Sequence, residues 1–235
     1  MASQSNKPEQ RFLSGLTHEL RTPLGSILML TELLGENRAG NLGPKDLGYV
    51  QKIRQAASDV RGLIEEVGLL NRIDDGRIAP VLTEVSPGDL VDPIVQDYRP
   101  VAESRQLRLV TSQTLDRLDK VTTDRGLVQR ILDTLLTNAI RTTPQGDVAL
   151  DLTQADNQLT VRVTDGAEPV PDAQHQAVFE PFAYTGPQTR RRLGGQSLAL
   201  PIARRLSHLL GGELKLIGAA EGNTLVLTLP IEGRE

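Results

Sequence analysis

Six apolar residues, Val50, Ile53, Ala57, Val60, Ile64 and Val67, follow one another in steps of 3, 4, 3, 4 and 3. This is the heptad rhythm of a helix that buries a continuous seam, and the two-residue repeat of a strand cannot reproduce it. A second helical pattern precedes it, from Pro8 to about Arg38. Between them "AGNLGP" (Ala39–Pro44) supplies turn residues, with Pro44 placed for the first turn of the next helix. One hairpin has no partner along the full width of such a seam. The economical solution is two hairpins joined in a dimeric four-helix bundle, and the alternative is a hairpin packed on its own downstream domain.

On a helical wheel of about 100° per residue, Leu13, Leu16, Leu20, Leu24, Ile27 and Leu34 fall in a band of roughly 80°, the predicted core stripe. His18 lies on nearly the opposite side, with Thr22 one turn further along the same face. Gly15, Gly25, Ser14 and Ser26 rim that face, and Pro23 interrupts it. A helical glycine costs roughly 1 kcal/mol against alanine and an interior proline about 3 kcal/mol. A face that is only solvated gains nothing from those costs; one that admits a second macromolecule close to an imidazole gains clearance. "HELRT" has Thr22 where a zinc protease motif needs its second histidine, so zinc chemistry is not expected.

"RIDDGRI" (Arg72–Ile78) closes the helical region, and the texture changes. "APVLTEV" and "LRLVTS" read as strands around a helix capped by Ser86. A strong helix over "TDRGLVQRILDTLLTNAIRTT" and a hairpin on either side of "QADNQ" follow. A Pro- and Gly-rich stretch runs from Gly166 to Gly195, then a helix ending in a glycine pair and a last hairpin. The expected fold is α+β: a helical hairpin domain over 8–76, then an α/β sandwich over 77–232 with helices on one face of a mixed sheet. Net charge is -4 and cysteine is absent, which argues against nucleic-acid binding, disulfides and thiolate sites and fits a cytoplasmic chain. No apolar run approaches the roughly 18–20 residues of a membrane span.

"FLSGLTHELRTPLGSI" resembles the H-box of sensor histidine kinases of two-component systems. "LVQRILDTLLTNAIRTTP" resembles that family's asparagine box, and "VRVTDGAEPVPDAQHQAVFEPF" its aspartate loop and phenylalanine box. "LGGQSLALPIARRLSHLLGGELKL" resembles its glycine-rich lid end, and "GNTLVLTLP" its terminal strand. The resemblance implies a homodimeric bundle joined to an Hsp90-like ATPase domain. It makes His18 the acceptor of the γ-phosphoryl group of ATP and a response regulator receiver domain the next acceptor. It implies that Glu19 activates the imidazole and that Thr22 orients water in dephosphorylation. Asn138 would hold Mg2+, Arg141 a phosphate, and Asp165 the adenine amino group with Thr224 in support; Gly195 is a surviving lid glycine.

The glycine loops depart from the family pattern. Where it has D-x-G-x-G, this chain has Asp165-Gly166-Ala167-Glu168-Pro169, and the G-x-G-L-G of the lid is Gly195-Gln196-Ser197-Leu198-Ala199. Thr134 stands where a second asparagine is usual, and Pro201 where alanine is. Motif glycines let backbone amides approach phosphates, and Ala167 and Pro169 do not. Arg190, Arg191 and Arg192 could compensate by binding phosphates. The leading expectation is an ATP-dependent histidine kinase core. The rivals are a phosphotransfer or phosphatase protein that no longer uses ATP, and a non-enzymatic pseudokinase that heterodimerises or serves a separate sensor.

Overall fold

A computed structural model describes residues 7–111, 118–181, 198–218 and 222–232, those from 7 to 19 by their backbone alone. The chain divides into two compact units, Met1–Arg77 and Ile78–Glu235.

The first unit is a hairpin of α1 (Lys7–Gly35) and α2 (Pro44–Asp74). Helix α1 stops before the expected Arg38 because Asn37 takes a left-handed φ of 44°. Its side-chain amide then holds both the N–H and the carbonyl of Leu42, at 3.1 and 3.0 Å. Pro44 opens α2, and the Asp46 carboxylate accepts the N–H of Gly43 at 3.1 Å. Within the hairpin Leu24, Ala57 and Ile64 form the buried cluster, and Leu28 packs against it. Thr31 is buried beside them with its hydroxyl turned back to the carbonyl of Ile27 at 2.8 Å.

The predicted stripe of α1 is therefore only partly interior. Leu24 lies inside, while Leu20, Ile27 and Leu34 are exposed. The heptad seam of α2 splits in the same way: Ala57 and Ile64, seven residues apart, face inward, whereas Ile53 and Val60 are 51% and 44% exposed. Two helices share one line of contact, and the band is wider than that line.

The second unit is an α/β sandwich. Strands β2 (Leu107–Thr111), β4 (Gly146–Ala155), β5 (Gln158–Asp165), β7 (Asn223–Pro230) and β6 (Glu213–Gly218) form a sheet in the order β2-β4-β5-β7-β6. Only β2 and β4 run parallel; the other pairs are antiparallel. Leu159, Val161 and Val163 of β5 are buried while Thr160, Arg162 and Thr164 between them are not, so the sheet buries one face. Helices α3 (Pro87–Ser104), α4 (Arg125–Thr142) and α5 (Ala199–Leu209) pack with one another and with the strands. Ser86 caps α3 by accepting the N–H of Asp89 at 3.1 Å. Asp124 caps α4 at Leu127 N and also accepts the N–H of Val81 at 2.8 Å.

The sequence pattern did not show β3 (Val121–Thr123), which pairs antiparallel with β1 (Thr83–Val85) in a separate two-stranded sheet. Three residues are too few for alternation to register. The turn at Asp156 and Asn157 has both residues at positive φ, 51° and 59°, as a tight hairpin requires. Pro201 falls in the first turn of α5, where its missing N–H has no intrahelical acceptor to leave empty.

Candidate functional site: a pocket at the end of β5

Asp165 is the last residue of β5, and its side chain is buried. Its Oδ1 accepts three hydrogen bonds: from Ala167 N at 3.0 Å, Asn223 N at 3.1 Å and Asn223 Nδ2 at 3.1 Å. Among the described residues Oδ2 has a single long contact, from the Thr142 hydroxyl at 3.3 Å, and that hydroxyl also lies 2.8 Å from the carbonyl of Asn138. One carboxylate oxygen thus holds the backbone, and the other is left to accept a donor from the cavity in front of it. Asn138, Thr142, Asp165, Glu168, Gln174 and Asn223 give that cavity its polar atoms; Val170, Val178, Leu200, Leu216 and Leu225 give it apolar walls. Apolar walls with one buried carboxylate at the end suit a flat heterocycle that presents an amino group.

Glycine is required where the strand ends meet. Gly222 has φ +102°, and a Cβ there would collide with the carbonyl oxygen of Asp165. Gly166 tolerates little more: a Cβ would come within 3.2 Å of Thr143 Cγ2. Ala167, by contrast, is accommodated and buried at 7% exposure, so this loop has closed around a side chain where the motif has glycine.

Asn138 and Asp165, expected together, line the same cavity. Arg141 does not. It donates to Asn138 Oδ1 at 3.0 Å and lines a separate groove between α3 and α4 with Tyr98 and Arg105. Burial, and secondarily the charge of Arg105, push its pKa down. Thr224 lies beside the cavity's carboxylate strand end and not in its lining. Its hydroxyl pairs with that of Thr164 at 3.0 Å. Register explains this: Asp165 pairs with Asn223 and Thr164 with Thr224, so the strand's two-residue period turns Asn223 to the carboxylate. Thr134 donates to the carbonyl of Arg130 at 3.1 Å and is likewise absent from the cavity.

Gly195 and the arginine run Arg190–Arg192 lie outside the described residues. So do the side chains of His18 and Glu19, whose backbone belongs to α1. Thr22 and Pro23 are exposed on that helix. Sequence reasoning missed Asn223, Gly222 and Thr142. The dipeptide "NT" after a glycine was a usable signal, but choosing between its members needed the register.

Two family models match in order. Residues 9–76 match the His Kinase A (phospho-acceptor) domain, and residues 123–233 the histidine kinase-, DNA gyrase B- and HSP90-like ATPase. The chain belongs to the sensor histidine kinases. It is 28% identical over 241 residues to the autoinducer 2 sensor kinase/phosphatase LuxQ of Vibrio parahaemolyticus, covering 100% of this chain and 28% of that one. It thus spans little more than a quarter of that curated relative. Among solved structures it is similar to full-length ShkA in complex with AMPPNP, with a TM-score of 0.80 and 25% identity over 95% of this chain and 46% of that one. Histidine kinase ThkA in complex with the response regulator TrrA has a TM-score of 0.67 over 97% of this chain and 64% of that one; at 16% identity it speaks for the fold alone. No helix among the described residues of this sensor kinase core is long and apolar enough to cross a membrane.

Proposed function

We propose that this chain is the core of a two-component histidine kinase: residues 8–76 dimerise and carry the phosphoacceptor His18, and residues 77–232 bind ATP. The observation that carries the proposal is the cavity in which Asp165 and Asn138 meet, on a chain whose other unit bears an H-box. Asp165 Oδ2 would accept the adenine amino group, and the apolar walls would sandwich the ring. Asn138 would hold a Mg2+ arriving with the phosphates, through the amide oxygen that also accepts Arg141, and the ion would supply charge neutralisation there.

His18 would take the γ-phosphoryl group through an imidazole nitrogen as the bond from phosphorus to the β,γ-bridging oxygen breaks and ADP leaves, and Glu19, next in sequence, would hold or receive the ring proton. The receiver-domain aspartate of a response regulator then accepts the phosphoryl group at the exposed face marked by Thr22. Thr22 would orient a water for dephosphorylation. The exposed apolar residues Leu20, Ile27, Ile53 and Val60 would be covered by a second hairpin in a homodimer. A core that draws on ATP would work in the cytoplasm.

The test is incubation of the protein with γ-labelled ATP and Mg2+, beside His18→Gln. Acid-labile label on the wild type alone, passing to a receiver domain, is the expected outcome. Label that persists in His18→Gln, or no label on a wild type that binds ATP, overturns the kinase reading.

A further inference from the structure

We propose that Asn223 is the positioning residue that preforms the nucleotide pocket, holding by side-chain hydrogen bonds the loop 166–170 that has lost its motif glycines. The inference rests on the reading that the pocket takes an adenine nucleotide.

Asn223 is 5% exposed, and both its amide hydrogens and its amide oxygen are engaged. Nδ2 donates to Asp165 Oδ1 at 3.1 Å and to the carbonyl of Glu168 at 3.3 Å. Oδ1 accepts the N–H of Val170 at 2.7 Å. The pattern fixes the amide's orientation, because a flipped group would set donor against donor at Val170 and acceptor against acceptor at Asp165 and Glu168. A single side chain therefore ties the end of β5 to two points of the loop.

The rest of the loop is held in the same manner. Gly166 N donates to the Thr143 hydroxyl at 3.1 Å, Ala167 N donates to Asp165 Oδ1, and Pro169 has no N–H to offer. At the far side His175 Nε2 lies 2.9 Å from the carbonyl of Val170. Val170 is thus gripped at both its N–H and its carbonyl, and it lines the cavity. These amides serve the wall and not a phosphate. A loop built on glycines orders when a ligand recruits its backbone, whereas this one is ordered by the protein's own side chains. Recognition is thereby shifted to the base end, where Asn223 saturates one oxygen of Asp165 and leaves the other to the ligand. Preorganisation lowers the ordering cost that binding must meet.

The experiment uses the full chain, amide hydrogen exchange without nucleotide, and calorimetry with ATP and with purine riboside triphosphate, which lacks the amino group. In the wild type the amides of Ala167 and Val170 are protected without ligand, and ATP binds at least about tenfold more tightly than the purine analogue. In Asn223→Ala both amides exchange at least about tenfold faster and the preference for ATP shrinks by a similar factor. Asn223→Ser, which keeps a hydroxyl near Asp165 but does not reach Val170, frees the Val170 amide while retaining more of the preference. Unprotected wild-type amides, or an Asn223→Ala protein that folds and keeps both protection and preference, overturn the role of Asn223. A wild type with a protected loop that binds neither nucleotide overturns the nucleotide reading instead.

Discussion

Gly25 separates what a residue does for its own fold from what it does for a partner. It lies inside α1, and a Cβ built on it would meet nothing within 4 Å. Alanine there removes backbone entropy from the unfolded chain without a clash, so Gly25→Ala should stabilise the hairpin by up to about 1 kcal/mol. The same methyl intrudes on the face that carries His18 and Thr22, and phosphotransfer to a receiver domain should slow. Denaturant unfolding and a transfer assay on the phosphorylated protein measure the two effects. A variant that gains stability and transfers at the wild-type rate would remove the steric account of the glycine rim. Gly222 is the opposite case, since its own chain forbids a side chain there. At this scale Asn138 and Asp165 were legible through the motifs that resemble the family's asparagine box and aspartate loop, each a short run of neighbouring residues. Asn223 was not, because sequence marks two adjacent polar residues and says nothing of which one faces inward.

Among elements, α3 and α4 are joined by a polar contact that makes its own prediction. The Tyr98 hydroxyl lies 2.5 Å from Asp133 Oδ1 and 2.6 Å from the Thr137 hydroxyl. Burial first, and then the hydrogen bond to Asp133, push its pKa up to about 12 from an ordinary value of 10.0. The folded state therefore holds this proton more tightly than the unfolded chain does. The resulting stability is complete below the unfolded value and is lost as pH rises through the folded one. Stability should fall between about pH 10 and 12 by more in the wild type than in Tyr98→Phe, as followed by denaturant midpoints across that range. Equal alkaline losses in the two proteins would contradict the assignment. The helices themselves were readable from period and caps, Ser86 for α3 above all. β3 escaped notice: a three-residue strand is stabilised by its partner β1 and carries no pattern of its own.

Across the whole molecule the two units have separate cores, one of Leu24, Ala57 and Ile64 and one between the sheet and its helices. Two thermal transitions are expected, and only that of the hairpin should move with protein concentration, because only it gains by association. Replacing the exposed Ile53 and Val60 together by glutamate should abolish that concentration dependence and yield monomers by sedimentation, while the transition of residues 78–235 stays where it was. A single concentration-independent transition in the wild type would argue against a homodimer built on this face.

Hydrophobic period, caps and turn residues acting over a few neighbours were enough to read two helices and, β3 apart, the order of the α/β elements; the residues gathered at the site were read from the motifs' resemblance to a family. These signals are local, and each is written within one or two turns of chain. Three matters depended on parts of the chain far apart in sequence. The heptad seam divides into an inward line through Ala57 and Ile64 and an outward one through Ile53 and Val60 only once α1 occupies one side. Arg141 points into the groove with Tyr98 and Arg105 because α3 lies beside it. Asn223 and not Thr224 meets Asp165 because β5 and β7 pair in one register, and a shift of one residue would exchange them.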